Sequence, residues 1–248
     1  MSWPGNVGSL SGFSQQQIAI SEIGVSFADD RSSFLDLKAL IKVILPVKSI
    51  YLCYDNSFGQ GTDNTPPEKV KGEPWMYILR DILQFDDSVS AAKTRISNAN
   101  RTCNLILGVG DGKAGEVTGV QFSGYVSNFY SDSNLLPVND TWHPQVKDVV
   151  YNGMDWLCPS YTSVLGEQLQ KYHGSIDEDV VVRNILPTLQ SGSLHAVVYD
   201  LTRSLMHVSF YRPDKADESE PLYAYERQFT RLHMQNIFAQ EPPAISEY

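Results

Sequence analysis

The chemistry that this sequence could support begins with its three cysteines, Cys53, Cys103 and Cys158. A catalytic thiol needs a base that converts it to the thiolate, and no local motif joins any of the five histidines to a cysteine. Cys103 lies beside an apolar stretch, where a cysteine is more often a small core residue. The three positions form no Cys-x-x-Cys pair. The sequence therefore predicts no structural zinc site, and no cofactor site is found.

Asn152 is a second candidate because it follows a predicted strand at 147–151. It precedes Gly153 and shares a predicted turn with Asp155 and Trp156. A side-chain amide at a strand end can donate a hydrogen bond to a developing oxyanion. The alternative is an ordinary turn asparagine, and the local sequence alone favours it.

Three further polar residues fall on a predicted hairpin at 194–211. His195 and His207 lie on its strands, where a histidine is more often a structural side chain than a base. Asp200 lies at its turn and is most simply a turn former. None of the three is assigned a catalytic role.

A glycine-rich turn between residues 102 and 126 raises the question of a phosphate-binding loop. The P-loop pattern requires a glycine at position 107, where this sequence has Leu. It also requires a Ser or Thr directly after Lys113, where this sequence has Ala114. A dinucleotide-binding loop requires a helix next, whereas a strand is predicted from Glu116. The segment is therefore predicted to be a hairpin with Asp111-Gly112 at its turn.

The elements that would position these residues alternate between strands and helices. A strand pair is predicted at 7–10 and 17–27, with a bulge near Glu22 that explains a shift in the apolar alternation. One helix is predicted to begin at Pro74, and a second is predicted over 88–99 with Asp87 as its N-cap. A third is predicted over 161–172. A fourth is predicted to begin with a capping box at 175–178 and to run to about residue 189, bent or broken by Pro187. This order predicts one α+β domain over residues 1–248, with an irregular insertion at about 29–71.

Composition excludes some partners. A net charge of −10 argues against nucleic acid, which requires a basic surface. No stretch reaches the roughly 18 apolar residues of a membrane span, and the N-terminus lacks the features of a signal peptide. Yet Asn100 and Asn139 head Asn-x-Thr sequons and are candidates for N-glycosylation. The protein is thus expected to be lysosomal or secreted if a longer precursor carries a signal peptide, and cytoplasmic if Met1 is the true start.

Four segments, in this order and spacing, resemble the penicillin-acyltransferase-like branch of the N-terminal-nucleophile (Ntn) hydrolases, which includes acid-ceramidase-like amidases. They begin with Gly8-Ser-Leu-Ser-Gly-Phe-Ser14 followed by Ile18-Ala-Ile-Ser-Glu-Ile-Gly24. The others are 72–83, 104–112 and 195–200 with its returning strand. The resemblance covers most of residues 5–212.

The resemblance implies a four-layer αββα sandwich and cleavage or transfer at an amide bond. In this family an N-terminal cysteine attacks the carbonyl with its own α-amino group as base. An asparagine after a strand stabilises the tetrahedral intermediate, and Asn152 is the matching position. An acyl amide or lipid-like small molecule is the expected substrate.

The chain departs from the family at the nucleophile. In the family that segment lies upstream of the stretch matching Gly8–Ser14, so none of the three cysteines here occupies it. The family's arginine before the last hairpin is also replaced, by Gly192-Ser193. The expectation is a C-terminal portion, inactive alone, whose partner is an upstream segment or chain. The alternatives are a non-catalytic relic or binding protein of the same fold, and an unrelated α+β binding domain.

Overall fold

The computed structural model describes residues 8–24, 71–134, 140–151, 159–192, 194–212 and 221–241. The predicted insertion at 29–71 lies outside these ranges except for its last residue, and so do Asn139 and Asn152. The described residues form two antiparallel sheets and several helices. The predicted α+β class is therefore confirmed.

Sheet 1 has five antiparallel strands in chain order. They are β1 Gly12–Phe13, β2 Ile18–Gly24, β3 Leu105–Asp111, β4 Glu116–Phe122 and β5 Ser127–Tyr130. The hairpin predicted around 102–126 is confirmed as β3 and β4. The strand predicted at 7–10 is wrong, because the Ser9 N–H bonds to the Met76 carbonyl and the strand β1 forms only afterwards.

The bulge predicted near Glu22 is also wrong. Strand β2 pairs with β3 without interruption, from Ile18 opposite Asp111 to Gly24 opposite Leu105. The shift in the apolar alternation has a different cause. Ile23 lies on the opposite face from Ile20 and is 45% exposed, so the strand carries apolar residues on both faces.

One face of sheet 1 is covered by helices α1 Trp75–Phe85 and α2 Val89–Asn98. Pro74 precedes α1 as predicted, and the α1 residues Ile78, Leu79 and Ile82 are completely buried. The N-cap of α2 is Ser88 rather than the predicted Asp87, since the Ser88 hydroxyl accepts a hydrogen bond from the Ala91 N–H.

Two further helical segments follow the sheet. Helix α3 is Pro159–Lys171, and residues 178–189 form one continuous run of Glu178–Val180, a π-helical Val181–Ile185 and Leu186–Leu189. The N-cap of that run is Asp177, whose carboxylate accepts from the Val180 N–H, so the capping box predicted from Ser175 is wrong. The break predicted at Pro187 is absent, because Pro187 lies inside Leu186–Leu189 and the run is π-helical just before it. The strand predicted at 147–151 is absent, because these residues form a turn and irregular chain.

Sheet 2 has three antiparallel strands in the order β6 His195–Asp200, β7 Leu205–Phe210 and β8 Thr230–His233. The first two confirm the second predicted hairpin. A short helix, α4 Met234–Phe238, follows β8.

The two sheets pack face to face through a small apolar cluster. Phe13 and Ala19 of sheet 1 meet Met206, Val197 and Leu232 of sheet 2. A hydrogen bond also crosses the interface, since the Tyr199 hydroxyl donates to the Ile20 carbonyl over 2.8 Å. Because Phe13 and Ala19 face sheet 2, the other face of sheet 1 is free to bury Ile18 and Ile20 under α1 and α2.

The two hairpin turns have the same design and touch each other. Each has four loop residues after an aspartate, Asp111 and Asp200, whose carboxylate accepts backbone N–H bonds from its own turn. The residue with positive φ in the first turn is Gly115, at +64°, rather than Gly112, and in the second turn it is Ser204, at +52°. Gly112 has another role, because a Cβ there would lie 2.9 Å from the Leu201 carbonyl oxygen in the opposite turn.

The contact between Gly112 and Leu201 leads to a first prediction. Gly112→Ala should lower the free energy of unfolding by about 1–3 kcal/mol, because the added carbon meets backbone that cannot move without parting the turns. The matched control is Gly115→Asn, where a Cβ meets no atom within 4 Å and asparagine tolerates the left-handed region. Urea denaturation measures both. Equal losses in the two variants would contradict the role given to the contact.

Candidate functional site

A cavity of about 310 Å³ lies between the two sheets, mainly at the end away from the hairpin turns, and reaches Val117 near the start of β4. It is lined by the start of β3 near Ile106 and by the start of β6 at His195. Both strands run from the cavity towards the touching turns at Gly112 and Leu201. The sheets are therefore close at one end and apart at the other.

The sheet 1 side of the cavity is built from small and apolar residues. Strand register places Gly108 and Gly119 opposite each other on the face towards sheet 2. A Cβ at Gly108 would approach the Ser21 hydroxyl to 2.8 Å, so glycine fits best at this position on the cavity wall. Ile23 and Val117 border it with 45% and 49% of their surface exposed. Such exposed apolar side chains beside a cavity are typical of a small-molecule site.

The cavity wall also carries a pair of polar residues, one from the segment before β1 of sheet 1 and one from β6 of sheet 2. The Ser11 hydroxyl lies 3.0 Å from Nε2 of His195, and both residues line the cavity. Burial lowers the pKa of His195 below its ordinary value, which leaves its ring neutral at neutral pH. The prediction that His195 is only structural gave no sign of this pairing, because 184 residues separate the partners.

Tyr151 also lines the cavity, and contacts with Pro144 and His143 fix its position. Its hydroxyl donates to the Pro144 carbonyl, and its ring lies 4.5 Å from the buried ring of His143. Asn152, the predicted oxyanion residue, is the next residue in the chain but lies outside the described residues. The structure thus brings the neighbour of Asn152 to the cavity and does not test Asn152 itself.

Cys103 lies in the core under the helices, with 6% of its surface exposed. Burial raises the pKa of its thiol to about 12, so almost no thiolate forms at neutral pH. The interpretation of Cys103 as a core residue is consistent with this burial. Cys53 and Cys158 lie outside the described residues.

Glu22, the site of the predicted bulge, is also a titratable residue close to the cavity. Its strand borders the cavity, but the register of β2 places its side chain with Ile18 and Ile20 on the helix-covered face. Burial raises the pKa of its carboxyl group to about 7. Its charge in turn contributes to the raised pKa of Cys103, so the two side chains are neighbours.

The remaining candidates lie away from the cavity. His207 is 6% exposed, on the face of sheet 2 opposite the cavity, and its Nε2 atom has no hydrogen-bond partner among the described residues. The Asp200 carboxylate accepts from the Arg203 N–H and guanidinium, which fits a turn former. Asn100 is exposed, as a glycosylation site must be. Among the described residues, no three His, Cys, Asp or Glu side chains converge where a metal ion could bind.

Comparison with known proteins found relatives in Dictyostelium discoideum. The protein dcd1A is 33% identical over 179 residues, which are 68% of this chain and 40% of that protein. The protein dcd1B is 32% identical over 183 residues, 69% of this chain and 36% of that protein. The chain thus spans well under half the length of these relatives. No protein-family model matches the sequence.

None of the helices in the described ranges has the length and apolar character of a membrane span.

The raised pKa of Glu22 leads to a second prediction, which concerns how stability depends on pH. A carboxyl group whose pKa rises on folding from 4.5 to about 7 binds its proton more tightly in the native state. Stability from this group is therefore complete below pH 4.5 and declines as the pH rises towards 7, by up to about 3 kcal/mol. Urea denaturation across this range should show that decline in the native protein, and Glu22→Gln should remove it. If the difference between the two proteins does not change with pH, Glu22 is not buried as described.

Proposed function

We propose that this chain is the acyl-binding portion of an amide-bond hydrolase or acyltransferase of the Ntn type. The observation that carries the proposal is the cavity between two antiparallel sheets with Tyr151 on its wall. Asn152 follows Tyr151 directly in the sequence, and a side-chain amide is a group that can donate a hydrogen bond to a developing oxyanion.

The arrangement of layers supports the proposal. Helices α1 and α2 cover the outer face of sheet 1. On the outer side of sheet 2, Glu178 at the start of the 178–189 helical run contacts Arg203 and Arg231. We therefore propose the αββα sandwich as the finer description of the α+β fold. In it, the cavity lies between the two central sheets.

The lining of the cavity suits an acyl amide. Ile23 and Val117 offer apolar surface to an acyl chain, and Ser11 and His195 offer hydrogen bonds to a polar head. The volume of about 310 Å³ is at the lower end of the range for small-molecule sites. A short or medium acyl chain therefore fits better than a long one.

The nucleophile in this proposal comes from outside the 248 residues. Cys103 is excluded by its burial and by a thiol pKa of about 12, and the resemblance to the Ntn family gives neither Cys53 nor Cys158 the position of the nucleophile. The partner is then an upstream segment or separate chain that places a cysteine beside Asn152. The greater length of dcd1A and dcd1B is compatible with such a segment. Passage through the secretory route to a lysosome or the exterior belongs to the same proposal, with exposed Asn100 as a glycosylation site.

A non-catalytic binding protein is the second candidate. The observation that favours it is the same burial of Cys103, because the described residues offer the cavity no reactive thiol. Both candidates require that the cavity binds an acyl amide, and only the first requires turnover once a nucleophile is supplied.

Binding tests what the two candidates share. The 248-residue chain should bind N-octanoylethanolamine, measured by titration calorimetry. Ile23→Asp should weaken binding at least about tenfold, because a carboxylate on the cavity wall must lose water when the acyl chain enters. The matched control is Ile237→Asp on α4, where the native side chain is 38% exposed and away from the cavity. Equal binding by the two variants would place the ligand elsewhere or nowhere.

Turnover separates the candidates. The chain alone should not hydrolyse the amide, and addition of the upstream cysteine segment should restore hydrolysis that Asn152→Ala then reduces about 100-fold or more. Liquid chromatography of released octanoate measures both. Hydrolysis by the chain alone that survives Asn152→Ala and is lost in Cys103→Ala would overturn the proposal.

A further inference from the structure

Ser11 and His195 come from opposite ends of the chain and meet on the cavity wall. Ser11 lies just before β1, in a segment fixed to α1 by the hydrogen bond from Ser9 to Met76. His195 is the first residue of β6. Their side chains are 3.0 Å apart, within the range for a nucleophile and its base.

The surroundings favour a neutral histidine. His195 is partly buried, and burial lowers its pKa. With the ring proton on Nδ1, Nε2 can accept the Ser11 proton. Tyr199 is a second neighbour of the Ser11 hydroxyl, but its own proton is donated to the Ile20 carbonyl. The serine proton can therefore be directed either to Tyr199 or to His195.

We propose that Ser11 and His195 form a second reactive centre in this cavity, a serine nucleophile with a histidine base that acts on activated acyl esters. The proposal goes beyond the Ntn-type function and does not depend on it, because both groups belong to this chain. The same cavity would hold the acyl chain in either case.

The reaction is an acyl transfer in two halves. Ser11 Oγ forms a bond to the ester carbonyl carbon while His195 Nε2 takes the serine proton. The bond from that carbon to the leaving oxygen then breaks, and the imidazolium returns the proton to the leaving alcohol or phenol. In the second half, water attacks the acyl carbonyl while His195 takes its proton; the bond to Ser11 Oγ then breaks, the imidazolium returns the proton to that oxygen, and the acid is released.

The pair lacks one part of a complete triad. Among the described residues, no carboxylate bonds to the His195 ring, and its aromatic neighbour is Phe210 at 6.4 Å between ring centres. A triad uses such a carboxylate to orient the ring and stabilise the imidazolium. The centre therefore suits substrates with a good leaving group, such as phenyl esters, and not amides. This agrees with the absence of amide turnover expected of the chain alone.

A purely structural role is the alternative. The Ser11–His195 bond could join the sheets in the way that the Tyr199–Ile20 bond does. The two roles differ in reactivity, because a serine that serves only as a link does not displace fluoride from phosphorus.

The experiment is to label the 248-residue chain with an alkyl fluorophosphonate. In this step a Ser11 Oγ–P bond forms, the P–F bond breaks and the serine proton passes to His195. Peptide mass mapping should locate the adduct on Ser11. Ser11→Ala should abolish it, and His195→Gln should slow it about 100-fold or more, the usual effect of removing a general base. Ser90→Ala and His173→Gln, changes of the same kind at exposed positions, should have no effect.

Hydrolysis of p-nitrophenyl butyrate should fall in the same two cavity variants and in neither control. Thermal melts show which variants are folded. If a cavity variant does not fold, the native protein decides the question. Native protein that melts cooperatively but carries no adduct on Ser11, or carries it on another residue, overturns the proposal. So does a His195→Gln variant that is folded and labels at the native rate. Loss of acyl-amide binding with Ser11 labelling intact would instead count against the Ntn-type function alone.

Discussion

The close approach of the two hairpin turns is the constraint on which the cavity depends. Leu201 packs over Gly110 and Gly112, where side-chain carbons would collide with it at 2.7 Å and 2.9 Å. Strands β3 and β6, which lead into the two turns, belong to different sheets of the pair. Because the turns fix one end of the sheet pair, the width of the other end depends on the side chains between them. There Gly108 and Gly119 of sheet 1 have no side chains to fill the space, and a cavity results.

The same arrangement explains why reactive groups collect at that end. Polar side chains are costly to bury between two sheets unless they pair with one another. Ser11 pairs with His195 and Tyr199 pairs with the Ile20 backbone, so the interface bears these polar groups without a large penalty. The cavity beside them is a place where an acyl carbonyl could meet a nucleophile. In the proposals above, Ser11 would act on an activated ester, and an external cysteine would act on an amide.

The sequence predicted the elements whose signal is local. Alternation revealed both hairpins, and Pro74 with its apolar spacing revealed α1. The errors arose where a local pattern had a tertiary cause. Ile23 broke the alternation because it faces a cavity and not because of a bulge, and Gly112 is glycine because the opposite turn lies against it. The Ser11–His195 pair could not be predicted, because the two residues are 184 positions apart and neither local sequence contains a motif that indicates the contact.

The central claim is that a small acyl compound binds between the two sheets, and photo-crosslinking tests it most directly. An octanoyl amide with a diazirine at the end of its acyl chain would be irradiated with the native protein, and the modified residues mapped by mass spectrometry. The account predicts adducts on the cavity strands β2 and β4, at or beside Ile23 and Val117, that are suppressed by excess unmodified amide. Adducts confined to the outer helices α1 and α2, or adducts that excess amide does not suppress, would contradict it.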